Sequence, residues 1–210
     1  MKPYKHYILT RWNLGIYSTD NPYRDKVGDV AQWTDDRVRL FKTYSLPSVL
    51  DQTSQAFTWL IAFDPNSPGW LLDKYEHLDC VEIIFEQPHL WLRKQDPAAE
   101  WLITSRFDND DIYSPTFIEE IQGAFREQEE IIDIKYQIWD TLTGAGYNST
   151  RTRNNSPFLS LIEPWSAMPM TAMGRPHTNM PDMFQNRRIE KYLATQVIHG
   201  RNIMNKIPTA

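Results

Sequence analysis

The residues best suited to chemistry lie in one short run. "EWLITSRF", a stretch of strand character, leads directly into Asp108, Asn109, Asp110 and Asp111, so three carboxylates fall within four positions. Like charges packed this closely repel, and each carboxyl is pushed towards its neutral form unless a cation compensates. Mg²⁺ or Mn²⁺ is the economical compensator, because it takes hard oxygen ligands and completes its shell with substrate phosphates and water. Asp108 and Asp110 stand two apart at a strand end, which lets both turn towards one point, while Asp111 faces elsewhere and caps or orients the next helix. The bare Asp-x-Asp spacing is weak, since a chain this rich in Asp holds about one by chance and Asp is favoured in turns for local reasons. Its weight comes from position, and position depends on the elements around it.

Six apolar runs read as strands: "HYILTRW", "AFTWLIAFD", "CVEIIFEQ", "EWLITSRF", "IIDIKYQIWD" and "SPFLSLIEP". Between them lie helical patterns. "TDDRVRLFKTY" has Thr34 as N-cap and Val38, Phe41 and Tyr44 at helical spacing, and a second short helix begins near Pro47. "PGWLLDKYEHL" and "TFIEEIQGAFREQEE" read as two more helices, and the tail from Met183 as a helix broken at Gly200. Strands alternating with helices imply crossover connections, hence an α/β fold with a mostly parallel central sheet and helices on both faces. Such sheets bind ligands outside the carboxyl ends of their strands. "TRWN", "AFDPN" and "SRFDNDD" all fall at those ends, so polar groups from three segments converge on one edge. No Gly-x-Gly-x-x-Gly follows the first strand and no Gly-Lys-Ser/Thr loop occurs, so any bound diphosphate needs another neutralising group.

Composition narrows the partners. A chain of 210 residues suits one domain with a sizeable core. A net charge of −5 argues against a general nucleic-acid binder. The single Cys80 excludes an internal disulfide and a cysteine zinc cluster, and it fits a reducing compartment. No apolar stretch is long enough to cross a membrane and the N-terminus lacks a signal-peptide pattern, so a cytoplasmic protein is expected. Eight Trp and ten Tyr supply flat rings, most of them for the core, some suited to a sugar or nucleobase.

The blocks "ILTRWN", "LFKTYSLPSVLDQTSQAFTWLIAFD", "WLITSRFDNDD", "PFLSLIEP" and "QVIHGRNIMN", in that order, resemble the rhamnosyltransferase family of bacterial and phage chains. The resemblance covers nearly the whole chain and implies a GT-A-like glycosyltransferase forming a single domain over 1–210. Its nucleotide-sugar part would span about 1–113 and its acceptor part about 114–210. It further implies a nucleoside-diphosphate sugar donor, rhamnose among the candidate sugars, a glycan or other hydroxyl acceptor, and Mn²⁺ or Mg²⁺ as cofactor. Asp108 and Asp110 would hold donor and metal, His199 would be a further metal ligand, and Arg11 and Arg106 would face the nucleotide and its diphosphate. Each has a structural alternative. His199 can pack or cap a helix end beside Gly200, Arg106 can pair with Asp108 or Asp111, and Arg37 suits an ion pair better than catalysis. His177 competes with His199.

An inverting transfer also needs a carboxylate base, for which the strand-end acids Glu163 and Asp140 are candidates, with Glu163 preferred. Two other classes compete. A non-catalytic, metal-dependent carbohydrate-binding module would use the same acids and rings, but such modules are mostly all-β. A phosphatase with an aspartate nucleophile would place Asp-x-Asp after the first strand, not a late one.

Overall fold

The computed structural model describes residues 2–18, 20, 24–149, 155–200 and 202. β1 (Tyr4–Arg11) leads through the short α1 (Arg24–Val27) into a long helical run. That run is α2 (Val30–Leu40), a π turn over Phe41–Ser45, and α3 (Leu46–Leu50). There follow β2 (Thr58–Ala62), α4 (Gly69–Leu72), β3 (Val81–Ile84), α5 (Pro88–Leu92), β4 (Trp101–Arg106), β5 (Ile112–Tyr113) and α6 (Phe117–Gly123). The remainder is strand apart from a 3₁₀ turn at Met180–Asp182: β6 (Glu130–Asp140), β7 (Ala145–Asn148), β8 (Ser160–Pro164) and β9 (Gln185–Ile198).

The long helical run starts earlier than its sequence suggests. Asp29 is the N-cap, its carboxylate accepting the Gln32 amide at 2.9 Å. Thr34 lies one turn inside, its hydroxyl donating back to the Val30 carbonyl at 2.7 Å. Pro47 does not break the run. It has no N–H to continue the α-helical ladder, and the turn before it widens so that the Leu46 amide bonds the Phe41 carbonyl, five residues back.

The strands form one sheet in the order β3-β2-β1-β4-β8-β6-β9-β5, with β7 added to β6. β3, β2, β1 and β4 are parallel; β8 is antiparallel to both β4 and β6; β9 is parallel to β6. Strand direction therefore sorts the termini. The carboxyl ends of β1, β2, β4, β6 and β9 share one edge, and that of β8 lies at the other.

Both faces of the sheet are covered, which is why its central strands read as unbroken apolar runs. On one face Ile8, Trp59 and Ile61 pack with Phe41, Leu71 and Phe117 from the helices. On the other Leu9, Leu60 and Leu102 pack with Leu92 of α5, Trp165 and Met173. One polar cluster is sealed in this interior: His6 Nε2 lies 2.8 Å from Ser105 Oγ, which lies 2.6 Å from Ser160 Oγ. Burial, helped by nearby Lys2, pushes the His6 pKa down to about 3, so the imidazole stays neutral.

The tail expected to be helical is the strand β9. Its Ile189, Leu193 and Val197 recur every four residues, which mimics a helix face. β9 carries 14 residues against 11 in β6, with register shifts around Lys135 that interrupt the alternation of a regular strand.

Candidate active site

The acid loop between β4 and β5 is pinned at both ends by aromatic stacking. The rings of Phe107 and Tyr113 stack with centroids 4.1 Å apart, Tyr113 stacks in turn on Phe117 at 3.6 Å, and the Tyr113 hydroxyl donates to the Arg106 carbonyl at 2.8 Å. The helical run holds the loop from above. Ser45, in the π turn, donates to the Asp111 carbonyl at 3.0 Å, and the Ser48 hydroxyl accepts the Tyr113 amide at 3.2 Å.

Asp110 is the point where distant segments meet. Its Oδ2 lies 2.6 Å from Arg37 Nη1 and 2.9 Å from His199 Nε2. All three side chains are more than nine-tenths buried. Burial alone would raise the Asp110 pKa, but the Arg37 guanidinium and the His199 imidazole outweigh it and hold the carboxyl below its usual range. The same Arg37 nitrogen donates to Asn109 Oδ1 at 3.0 Å, and Asn109 Nδ2 donates to the Trp12 carbonyl at 2.6 Å, tying the loop to the end of β1.

Two residues set His199 in place. Asp111 Oδ1 accepts the Val197 amide at 2.8 Å, so Asp111 anchors the end of β9 rather than capping α6, which starts after Thr116 without a side-chain cap. Burial, then the neighbouring Asp110 and Asp108, push its carboxyl well above the usual range. Asn202 closes the strand end from the other side: its Oδ1 accepts the His199 amide and its Nδ2 donates to the Val197 carbonyl at 3.2 Å.

Most of the remaining expected residues lie along the same edge. Arg106 Nη2 lies 3.6 Å from Asp108 Oδ1, an ion pair in which Asp108 is the more exposed partner. Arg11 is exposed at the end of β1. Burial and the nearby charges of Arg93 and Arg11 lower the pKa of His89, so a small basic cluster joins the ends of β1 and α5. Asp64, after β2, joins the β1 and β2 loops: Oδ2 accepts the Gly15 amide at 3.0 Å, Oδ1 accepts the Asn66 amide at 2.9 Å, and the Asp64 amide donates to Asn13 Oδ1 at 2.9 Å.

Glu163 does not lie along this edge. β8 runs opposite to β4 and pairs Glu163 with Leu102, four strand positions or about 13 Å from Arg106. Its two oxygens accept the Met170 and Thr171 amides at 2.8 and 2.9 Å. It thereby braces a tight turn in which Thr171 has a φ of 62° and Gly174 has no room for a Cβ, which would lie 2.0 Å from the Met170 carbonyl oxygen. Asp140 lies on the right edge, but Oδ1 accepts the Leu142 amide at 3.0 Å and Oδ2 the Thr143 hydroxyl at 2.6 Å. The Thr143 hydrogen bond lowers its pKa, which makes it a poor proton acceptor. Glu163 braces one turn away from this edge, and Asp140, paired with Ile198 just before His199, shapes another beside it. His177 Nδ1 lies 2.8 Å from the Asn155 carbonyl oxygen, outside the Asp110 cluster.

A cavity of about 380 Å³ opens beside this cluster, walled by Trp33, Arg37, Tyr44, Thr141, Leu142 and His199 among others. Among the described residues no three His, Cys, Asp or Glu side chains converge as a full cation cage. A carboxylate oxygen and an imidazole nitrogen 2.9 Å apart fit a partial set, the kind Mn²⁺ or Mg²⁺ uses when phosphate oxygens complete its shell.

The fold is of the GT-A-like α/β class. The structure is similar to that of S. aureus TarS residues 1–349 in complex with UDP, with a TM-score of 0.55, 10% identity, and coverage of 92% of this chain and 60% of that one. The longer S. aureus TarS structure gives a TM-score of 0.51 at 10% identity, covering 93% of this chain and 36% of that one. This chain thus spans about 60% of the length of the TarS 1–349 chain. No curated protein matches by sequence. The sequence profile described as "Putative rhamnosyl transferase" matches residues 30–206, most of the chain, and the protein belongs to that family. Among the described residues no helix is long and apolar enough to cross a membrane.

Proposed function

We propose that this protein is a metal-dependent glycosyltransferase that moves a sugar, rhamnose in the first instance, from a nucleoside-diphosphate donor to a hydroxyl acceptor on a glycan. One observation carries the reading. Asp110 and His199, 89 residues apart in the chain, meet at 2.9 Å on the carboxyl edge of a sheet shared with a UDP-bound relative in fold. The family supports the transfer, and the UDP in the TarS complex supports a nucleotide donor.

In this reading the chain's residues divide the work along the edge. Asn13 and Asp64 shape the loops that receive the nucleoside. Arg11 and Arg93, on either side of a neutral His89, offer positive charge for the diphosphate. Asp108 and Asp110 with His199 would hold Mn²⁺ or Mg²⁺, which supplies charge neutralisation at the departing diphosphate. The cavity beside His199 receives the sugar, with Trp33 and Tyr44 as ring faces and Thr141 as a hydroxyl partner.

The test is a panel of nucleoside-diphosphate sugars incubated with the protein and Mn²⁺, with release of free nucleoside diphosphate measured. Release from one donor, preferentially a rhamnose donor, is the expected result. Binding of free sugars without turnover of any donor would instead support a carbohydrate-binding protein.

A further inference from the structure

Arg37 is placed where the proposed cation would act. Its Nη1 sits 2.6 Å from Asp110 Oδ2, the oxygen that also faces His199, so both sides of that oxygen are taken. A divalent cation cannot share a carboxylate oxygen with a guanidinium at this distance without strong repulsion. The guanidinium also lies over the Trp33 ring, 5.2 Å from its centroid, and Arg37 forms part of the cavity wall beside His199. It therefore has a second favourable surface and borders the cavity that a ligand would enter. Guanidinium matches phosphate oxygens in shape and charge.

We propose that Arg37 is the resident counter-ion of this site. It holds Asp110 when no cation is bound, and transfers to the donor's diphosphate when cation and donor enter together. The inference rests on Asp110 being the cation ligand, as proposed above. It makes cation and diphosphate binding cooperative: each strengthens the other by the same factor, because the diphosphate removes the positive charge that opposes the cation. Arg37 is then a positioning residue whose loss should affect the two ligands in opposite directions, which a purely structural ion pair would not do.

The experiment is a Mn²⁺ titration followed by electron paramagnetic resonance, with Mn²⁺ alone and again with UDP or dTDP present, on the wild type, Arg37→Gln and Arg37→Lys. Arg37→Gln is expected to bind Mn²⁺ alone at least about tenfold more tightly than the wild type. It is also expected to lose most of the further gain that the diphosphate gives the wild type. Arg37→Lys, which keeps the charge, should stay close to the wild type with Mn²⁺ alone. Arg37→Met, which keeps the packing of the stem, replaces Arg37→Gln if the latter loses its near-ultraviolet circular dichroism. Unchanged or weaker Mn²⁺ binding in a folded charge-free variant overturns the counter-ion role. Mn²⁺-independent diphosphate binding by the wild type would instead overturn the underlying reading of Asp110.

Discussion

The Asp111 carboxylate accepts the backbone amide of Val197 at 2.8 Å, and this bond fixes where His199, two residues on, meets Asp110. The third acid of the run thus supports the other two without itself facing a ligand. Its other oxygen is buried and, among the described residues, finds no hydrogen-bond partner. Asp111→Ala should cost about 1–3 kcal/mol, from the orphaned amide, and should weaken Mn²⁺ binding indirectly. Asp111→Asn keeps an acceptor for Val197 and should retain both fold and Mn²⁺ binding. Thermal melts and Mn²⁺ titrations of the two variants check this. Loss of Mn²⁺ binding in a stable Asp111→Asn would make Asp111 the ligand.

His6 predicts an acid-sensitive core. Its folded pKa near 3 lies below the unfolded value of 6.5, so between these the unfolded chain binds the extra proton. The neutral His6 core is fully stable above pH 6.5 and loses up to about 1.4 kcal/mol per pH unit as pH falls towards 3. Urea melts between pH 7 and pH 4 should show that slope in the wild type and a shallower one in His6→Gln. Equal slopes would mean that His6 does not titrate with unfolding.

Glu163 should behave as a brace. Glu163→Gln replaces one acceptor oxygen by an N–H₂ that faces a backbone amide, and should cost about 1–3 kcal/mol of stability. Its turnover of donor should stay within about threefold of the wild type, because the residue touches no reacting group. A hundredfold loss of kcat with an unchanged melting temperature would return Glu163 to the role of base.

Much of the fold was legible in the sequence because fully buried strands leave apolar runs: β1, β2, β3, β4, β6 and β8 all fall where those runs lie. Strand direction was not legible. Glu163 and Asp140 look equivalent as strand-end acids, and only the pairing of β8 against β4 separates them. β9 was hidden by a four-residue apolar recurrence that suits a helix face as well as a strand, and by register shifts that interrupt its alternation. α5 left fainter signs: Pro88 at its start and His89 and Arg93 four apart, a spacing that puts both bases on one helix face. The acid loop itself was visible from position alone. Its partner His199 came from the resemblance between blocks, since nothing in local spacing links residues 89 positions apart. Arg37 was expected to form an ion pair, but the sequence did not show that its partner is Asp110.

The most direct test of the account is calorimetric titration of UDP, GDP and dTDP into the protein with Mn²⁺ and then with chelator, for the wild type and for Asp110→Ala. The account predicts that one diphosphate binds the wild type with Mn²⁺, that chelator reduces its affinity by at least about a hundredfold, and that Asp110→Ala binds as weakly as the chelated wild type. Equal binding with chelator, or by folded Asp110→Ala with Mn²⁺, would contradict it.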